Sequence, residues 1–209
     1  MLSPDLQFGL IVLAAGASTR MGAPKQLLTV DGHPLVLRAV EAALGTTAWP
    51  IVVVVGANAA QIRPVLARHP VLIVENAAWI EGMASSIRAG INTLQQYSRN
   101  LSGVLVTLCD QPALTSSVLS KLIQEQPRTG RSIVAARYGN RNGAPALFMR
   151  EHFGTLSNLT GEEGARSLLN STPERVATLD LPDLAIDLDT AADYTAYQNQ
   201  SGRNPEKLS

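Results

Sequence analysis

The chain has 209 residues, and 17 lysine and arginine residues balance 17 aspartate and glutamate residues to a net charge of +0. This length fits one domain around a single core, and the balanced charge argues against a nucleic-acid partner, which needs a broad basic surface. No stretch approaches the ~20 consecutive apolar residues of a membrane helix, and the N-terminus lacks the basic cluster of a signal peptide, so we expect a cytoplasmic protein without a membrane partner.

Four aliphatic runs in the first half of the chain are typical of strands that are covered on both faces. They are residues 8–14, 51–56, 71–75 and 103–110. Other segments space their apolar residues three and four apart, which predicts amphipathic helices. These segments are residues 34–44, 59–69, 83–97 and 116–126, and Pro64 is expected to end or kink the second. The alternation predicts an α/β fold with three layers (α/β/α) and an open, mostly parallel, Rossmann-like sheet.

The pattern changes after residue 130. Two strand-like segments, 132–138 and 146–149, flank a turn with Gly and Asn, which predicts a small antiparallel addition. A short helix is expected over 160–170, then a strand over 174–181, and then a segment, 185–197, that is first strand-like and later helical. The domain is therefore expected to span residues 1–197. Residues 198–209 contain almost no apolar side chains and are expected to be disordered.

The first predicted strand leads into a loop of small residues that carries two cations. The segment LAAGASTRMGAPKQLL, residues 13–28, contains Arg20 and Lys25 and no carboxylate to pair with them. Accessible backbone N–H groups beside two cations are what polyphosphate binding needs. The segment matches neither the Walker A loop nor the Gly-x-Gly-x-x-Gly turn. A solvated surface loop is the alternative interpretation.

Three aspartates follow at the ends of later predicted elements. Asp110 ends the fourth apolar run, and Asp187 and Asp189 stand two residues apart before the last helix, where an extended segment would point them the same way. A carboxylate at the end of a buried strand is costly to desolvate unless it caps a helix, pairs with a cation or binds a metal. The alternatives are local: Asp110 could start a turn, and Thr190 could cap the last helix while Asp189 favours its dipole. Together with the two cations of the loop, the aspartates favour a metal–polyphosphate site.

Other candidate catalytic residues carry weaker signals. His33, His69 and His152 stand in no metal-ligand spacing. Cys109 ends a buried strand, where a small inert side chain is expected rather than a nucleophile.

The segments named above resemble a known family. LAAGASTRMGAPKQLL is similar to the nucleotidyltransferase signature L-A-[AG]-G-x-S-x-R-M-G-x-x-K-x-L, whose loop wraps the phosphates of a nucleoside triphosphate. NAAWIEGMASSIRAG (residues 76–90), LCDQP (108–112) and DLDTAADY (187–194) are similar to further motifs of the molybdopterin-nucleotide branch, which contains molybdenum cofactor cytidylyltransferase. The resemblance covers about residues 8–197 and implies a fold of the nucleotide-diphospho-sugar transferase type.

This resemblance implies that residues from about 8 to 112 bind the nucleotide and residues from about 132 to 190 bind the acceptor. The implied nucleotide-binding residues are Leu13, Ala14, Ala15, Gly16, Ser18, Arg20, Lys25, Gly82, Ser85 and Ser86. The implied catalytic residues are Arg20, Lys25 and Asp110, and the implied Mg²⁺ ligands are Asp110 with Asp187 or Asp189. The implied acceptor-binding residues are Asn142, Gly143, Pro145, Gly161, Gly164 and Arg166.

The resemblance also implies the substrates. The pair Ala14-Ala15 stands where guanylyltransferase relatives have Ala-Gly, which favours CTP. The implied reaction is Mg²⁺-dependent transfer of CMP from CTP to the phosphate of molybdopterin, with release of pyrophosphate, and a molybdoenzyme of the cytosine-dinucleotide type is an expected partner. Glu162 replaces the Asp of the pterin-side motif and is interpreted as an acid at a helix N-terminus.

Three alternatives stay open. The first is a guanylyltransferase, or another nucleotidyltransferase with a different phosphate acceptor. The second is an NAD(P)- or flavin-dependent oxidoreductase on a related fold. The third is a noncatalytic insertion partner of a molybdoenzyme, for which loss of Lys25 or Asp110 would be expected.

Overall fold

The computed structural model describes residues 6–162 and 164–201, and nearly all the predicted elements occur there within a few residues of the expected bounds. The strands are β1 (Phe8–Ala14), β2 (Thr29–Val30), β3 (His33–Pro34), β4 (Ile51–Val55), β5 (Leu72–Glu75), β6 (Gly103–Leu108), β7 (Ile133–Tyr138), β8 (Arg141–Met149) and β9 (Val176–Asp180). The helices are α1 (Leu35–Leu44), α2 (Ala59–Leu66), α3 (Met83–Tyr97), α4 (Ser116–Thr129), α5 (Phe153–Ser157), α6 (Arg166–Ser171) and α7 (Ala191–Ser201). The sequence did not indicate β2, β3 or α5, and the strand expected at the start of segment 185–197 does not form.

Seven strands form one sheet in the order β5-β4-β1-β6-β8-β7-β9. Strand β8 runs antiparallel to both of its neighbours, and the other neighbouring strands of this sheet pair in parallel. The predicted mostly parallel sheet with a small antiparallel addition is therefore confirmed. Strands β2 and β3 form a separate antiparallel hairpin.

Helices cover both faces of the sheet. On β1, Leu10 and Val12 pack into the core shared with α1, α2 and α4, whereas Ile11 and Leu13 pack into the core shared with α3, α5 and α6. Every residue of β1 and of β4 is buried, which is why these strands carry continuous aliphatic runs. Helix α2 continues through Pro64 to Leu66, so it does not end at the proline, and it stops before the expected end at residue 69.

The order of the strands creates a crevice at one edge of the sheet. After β1 the chain builds β4 and β5 on one side, and then returns through α3 to place β6 on the other side of β1. Connections that leave adjacent strands in opposite directions open a crevice outside their carboxyl ends. The small-residue loop follows β1 and Asp110 follows β6, so both lie at this crevice.

Helix α7 packs on the β2–β3 hairpin. Leu188 is fully buried in a small core with Val30 and Leu35, and the Tyr194 hydroxyl donates to the Thr29 carbonyl at 2.7 Å. The helix begins with the expected cap, because the Thr190 hydroxyl accepts from the Asp193 N–H at 3.2 Å.

The C-terminal end of α7 corrects one expectation. The helix continues to Ser201, so residues 198–201 are helical where disorder was expected, and the rest of the expected tail, residues 202–209, lies outside the described residues. Among the helices of the described ranges, none has the length and apolarity to cross a bilayer.

Candidate functional site

A cavity of about 580 Å³ opens at the carboxyl ends of β1 and β6. Its wall comes from the loop after β1, the turn before α3, the end of β6 and the segment before α7. The residues of this wall that the sequence predicted are Leu13, Ala14, Ala15, Gly16, Arg20, Lys25, Gly82, Ser86, Asp110, Arg166, Asp187 and Asp189. Residues far apart in the chain therefore meet in one cavity.

The loop after β1 leaves its backbone N–H groups without partners. Within the described residues, the N–H groups of residues 16–20 donate to no protein oxygen. Ser18 adopts a positive φ of 57°, and its hydroxyl accepts from the Lys25 N–H at 3.0 Å rather than lining the cavity. Unpartnered N–H groups on a tight turn form a concave site that favours an anion.

Lys25 lies between two of the predicted metal ligands. Its ammonium donates to Asp110 Oδ2, and to Asp189 Oδ1 at 2.8 Å. Arg20 donates to the other oxygen of Asp189 at 3.3 Å. Segment 13–28 contains no carboxylate of its own, and the carboxylates that pair with its cations stand 85 and 164 positions after Lys25.

The pairing changes the pKa values of these groups. Burial acts to lower the pKa of Lys25, but the charge and hydrogen bond of Asp110 and the hydrogen bond of Asp189 outweigh it, so the pKa is raised. The hydrogen bond from Lys25 lowers the pKa of Asp189. Lys25 therefore stays a cation and Asp189 an anion throughout the neutral range.

Asp187 lies near Asp110 and Asp189 and forms no ion pair with another described residue, although the positive charges of Arg141 and Lys25 also act on it. Burial, followed by the negative charges of Asp110 and Asp189, raises its pKa to about 6. Asp187 Oδ1 and Asp110 Oδ1 are both buried and have no hydrogen-bond partner in the described part of the chain. Two buried carboxylate oxygens without donors fit a divalent cation, for which carboxylate oxygens are preferred ligands.

The carboxylates do not form a complete metal cage. In residues 6–162 and 164–201, no group of three or more His, Cys, Asp or Glu side chains is arranged to hold a metal ion. A cation bound to two aspartates would complete its coordination with water and substrate oxygens, as Mg²⁺ does on nucleoside triphosphates.

A smaller cavity of about 140 Å³ adjoins the first. Leu13, Met83, Leu108, Glu162, Arg166 and Asp187 line both cavities. Apolar side chains such as Val106 and Phe148 form its floor, and Tyr138 and Arg141 lie in its wall, with the Arg141 guanidinium 5.3 Å from the centre of the Tyr138 ring.

Only part of the predicted acceptor set lines this smaller cavity. Gly143 and Arg166 lie in its wall. The residues of that set which line neither cavity are Asn142, Pro145, Gly161 and Gly164. Tyr138 and Arg141 were missed, although their position in the predicted hairpin, next to Gly143, was the available signal.

Ser85 and Ser86 have different roles. Ser85 is buried, and its hydroxyl contacts Asn76 Nδ2 at 2.7 Å and the Gly82 carbonyl at 2.8 Å, so it stabilises the turn before α3 and lines neither cavity. Ser86 lines the larger cavity. Adjacent residues of a helix point in different directions, which is why one of the two faces the crevice.

Gly82, in the predicted nucleotide-binding part of the chain, packs closely against residues 161 and 162 of the predicted acceptor-binding part. Its φ is +97°, and a Cβ there would lie 2.9 Å from the Glu162 Cα and from the Gly161 carbonyl oxygen. This close approach brings Glu162 into the wall of both cavities. Since α6 begins at Arg166 and has no acid in its first turn, the interpretation of Glu162 as an acid at a helix N-terminus is wrong.

Apolar and polar residues that the sequence analysis did not assign complete the larger cavity. Trp79, Ile80 and Met83 supply an apolar wall, and Gln26 lies beneath the loop. Burial raises the pKa of Cys109 to about 12, and Asp110 adds to that rise, so the thiol stays protonated, as expected for an inert side chain.

Comparison with known proteins agrees with this architecture. The model of the MobA-like NTP transferase domain family matches residues 10–176. Nicotine blue oxidoreductase from Paenarthrobacter nicotinovorans is 33% identical over 183 residues, covering 83% of this chain and 86% of that protein. The crystal structure of Rv0371c from Mycobacterium tuberculosis H37Rv is 29% identical and matches with a TM-score of 0.79, covering 93% of this chain and 99% of that one. A structure of Rv0371C in complex with manganese matches with a TM-score of 0.73 at 26% identity, covering 91% of this chain and 97% of that one.

Proposed function

The chain belongs to the MobA-like NTP transferase domain family, and from this premise we propose that it is a Mg²⁺-dependent cytidylyltransferase. It would transfer CMP from CTP to the phosphate of a molybdopterin-type acceptor and release pyrophosphate. A molybdoenzyme partner and a cytoplasmic location stay predictions.

The observation that supports the proposal is the arrangement of charge around Lys25. A half-buried ammonium pairs with Asp110 and Asp189 in the same cavity as a loop whose N–H groups at residues 16–20 have no partner within the described residues. Cations and N–H groups suit phosphates, and the two aspartates suit a divalent cation. A binding site for a metal-bound triphosphate needs both sets in one cavity.

In this reaction a phosphate oxygen of the acceptor forms a bond to the α-phosphorus of CTP, and the bond between that phosphorus and the oxygen of pyrophosphate breaks. The acceptor oxygen is already anionic at neutral pH, so no general base is needed. Arg20, Lys25 and the loop N–H groups would hold the phosphates in line and stabilise charge on the leaving pyrophosphate. A divalent cation held by Asp110 with Asp187 or Asp189 would neutralise further phosphate charge.

The choice of CTP rests on the Ala14-Ala15 pair. Ala15 lines the larger cavity and packs beside Trp79 in the core under its wall. A methyl group at this point narrows the space beside the loop, which favours the smaller pyrimidine. The manganese complex of the structural relative supports the use of a divalent cation, with Mg²⁺ as our proposal for this chain.

The phosphate acceptor is proposed to occupy the smaller cavity. Arg166 and Asp187 line both cavities, so an acceptor whose body lies over Phe148 and Val106 would have its phosphate near the nucleotide. The apolar floor suits a flat ring better than a sugar, which would leave hydroxyl groups without partners.

The test is the release of pyrophosphate when the protein is mixed with molybdopterin and CTP, GTP or ATP, each with and without Mg²⁺. We expect release with CTP and Mg²⁺, and much less with the two purine nucleotides. Release with GTP in preference to CTP would overturn the base assignment. Absence of release with every nucleotide would overturn the transferase proposal itself.

A second candidate function follows from the relative that is named an oxidoreductase and is 33% identical to this chain. Under this alternative the larger cavity would bind a nicotinamide dinucleotide, and the chain would oxidise NADH or NADPH in the presence of an aromatic acceptor. Oxidation of NADPH at 340 nm, independent of Mg²⁺, would favour it. The buried Oδ1 atoms of Asp110 and Asp187, which have no donor in the described part of the chain, favour the metal-dependent transferase.

A further inference from the structure

We propose that Gln26 is a positioning residue that orients the loop after β1 for anion binding. This inference rests on the proposed function only in that the anion is taken to be the triphosphate of the nucleotide. Gln26 belongs to the short 3-10 turn Lys25–Leu27, and its side chain is almost completely buried, with 1% exposed.

Both the nitrogen and the oxygen of the Gln26 side-chain amide form hydrogen bonds with residues 14–18. Its Nε2 group donates to the carbonyl oxygen of Ala14 at 3.2 Å and to that of Gly16 at 2.7 Å. Its Oε1 atom accepts from the Ser18 hydroxyl at 3.3 Å. One side chain therefore binds the beginning and the middle of the loop.

The carbonyl group between these two, that of Ala15, is also held by the protein. The Ala15 carbonyl accepts from the Ala57 N–H at 3.2 Å, and the Gly16 carbonyl accepts a second bond from Asn58 at 3.3 Å. The carbonyl groups of residues 14–16 thus all point to protein donors, whereas the N–H groups of residues 16–20 have no acceptor in the described ranges. The carbonyl of one residue and the N–H of the next share a peptide unit and point in opposite directions. Fixing the carbonyls of residues 14–16 therefore turns the N–H groups of residues 15–17 away from the protein groups that hold those carbonyls.

Ser18 connects the same network to Lys25. Its hydroxyl donates to Gln26 and accepts from the Lys25 N–H at 3.0 Å, with its backbone held at a positive φ. Gln26 is therefore linked to both anion-binding elements, the loop N–H groups and the lysine. A residue at this position needs a donor for two carbonyls and an acceptor for one hydroxyl, and an uncharged amide supplies both.

Two substitutions of Gln26 distinguish the effect of its hydrogen-bond donor from the effect of its side-chain volume. Gln26→Glu keeps the size but faces two carbonyl oxygens with a carboxylate, and Gln26→Met keeps the volume without any hydrogen bond. Ser18→Ala removes the hydrogen bonds of the Ser18 hydroxyl with Gln26 and with the Lys25 N–H but leaves both carbonyl contacts of Gln26 in place, and it keeps the test available if the buried substitutions prevent folding. The matched control is Gln126→Glu, since Gln126 is also buried and donates to a backbone carbonyl, that of Arg131 at 3.3 Å, outside both cavities.

The probe is inorganic tripolyphosphate, titrated by calorimetry in the presence of Mg²⁺, at a temperature where circular dichroism shows each variant to be folded. We expect both Gln26 variants to bind tripolyphosphate about tenfold or more weakly than the wild type, with a smaller loss for Ser18→Ala and none for Gln126→Glu. Cytidine, which lacks phosphate, is the control for the fold. A general disruption of the fold would weaken cytidine binding as well, whereas a defect confined to the anion site should leave cytidine binding equal in all the variants.

Two results would overturn the inference: tripolyphosphate binding within twofold of wild type in both Gln26 variants, or no binding of tripolyphosphate by the wild type. Failure of the proposed function looks different. In that case the wild type binds tripolyphosphate in a manner that depends on Gln26, but releases no pyrophosphate from CTP and molybdopterin.

Discussion

At the scale of single residues, Lys25 neutralises carboxylates that would otherwise repel one another. Its side chain is 18% exposed and that of Asp110 12%. Removing one member of a buried ion pair leaves the other charge uncompensated, and this usually costs more than the pair contributes. The lysine is thus a stabilising residue of the free protein as well as a phosphate ligand in the proposed reaction.

Lys25→Ala should therefore lower the free energy of unfolding of the metal-free protein by about 1–3 kcal/mol, since solvent screens part of the repulsion. Addition of Mg²⁺ or Mn²⁺ should restore much of this loss, because a cation on Asp110 and Asp189 replaces the missing charge. Thermal unfolding with a chelator and with each metal measures both effects. Lys121→Ala, at an exposed position of α4, is the control, and an equal response of the two variants to metal would contradict this role.

Asp187 gives the free protein a predictable dependence on pH. Its pKa is raised to about 6, above the value of about 3.9 for an unfolded chain, so between these values the folded state holds a proton that the unfolded state has lost. The stability contributed by Asp187 is therefore present below about pH 4 and is lost as the pH rises through about 6.

Asp187→Asn should remove this loss and make the metal-free protein more stable than wild type at pH 7.5, by about 1 kcal/mol once the partial exposure of the group is allowed for. The two proteins should converge near pH 4. Denaturant unfolding at several pH values, with a chelator present, measures the difference, and Asp183→Asn supplies an exposed aspartate as control. Parallel curves for Asp187→Asn and wild type would show that the carboxylate is not desolvated.

At the scale of elements, the small core around Leu188 fixes the segment that carries two of the aspartates. Leu188 is fully buried between Asp187 and Asp189, and its N–H donates to the Asp110 carbonyl at 3.1 Å. A buried leucine with charged neighbours on both sides sets the direction in which those neighbours point. Packing of α7 on the β2–β3 hairpin is thus connected, through Leu188, to the aspartates that we propose bind the metal ion.

Leu188→Ala should cost about 2–4 kcal/mol in the free energy of unfolding, as large-to-small substitutions in cores do. It should also raise the Mg²⁺ concentration needed for half-maximal pyrophosphate release. Leu122→Ala, in the core under α4, is matched in size and burial and should lower stability without changing the metal requirement. Equal metal requirements in both variants would contradict the positioning of the aspartates by Leu188.

Local sequence patterns predicted the helices and strands of this chain more accurately than they predicted the contacts between side chains. Helix α3 begins at Met83 and ends at Tyr97 as predicted, because a long amphipathic period marks both ends. The strands β2 and β3 have two residues each, too few to show a periodic pattern. The helix predicted over 160–170 is observed as α6, which begins at Arg166.

The site could be predicted in part for the same reason. The carboxyl ends of parallel strands meet at one edge, so the convergence of the loop, Asp110 and the late aspartates follows from the strand order. Which side chains then pair does not follow, since Lys25 and Asp189 are 164 positions apart and no local pattern connects them. Gln26 was missed because a buried amide that binds backbone carbonyls has no periodic or charge signal.

At the scale of the whole molecule, the free site is close to neutral. Arg20 and Lys25 are paired with Asp110 and Asp189 across the crevice between the two halves of the sheet. A triphosphate that takes the cations leaves the carboxylates without partners, and a metal ion that takes the carboxylates leaves the cations without partners. Either ligand alone therefore creates charge that the other would neutralise, so the two should bind cooperatively.

We expect a nonhydrolysable CTP analogue to bind at least about tenfold more tightly with saturating Mn²⁺ than with a chelator, and Mn²⁺ to gain the same factor from the analogue, since coupling between two ligands is reciprocal. Calorimetry gives the first factor and electron paramagnetic resonance of free Mn²⁺ the second. In Lys25→Ala the coupling should fall, because the metal then binds the carboxylates without displacing a cation. Equal nucleotide affinities with and without metal in the wild type would show that the ion pairs seen across the crevice are not exchanged on binding.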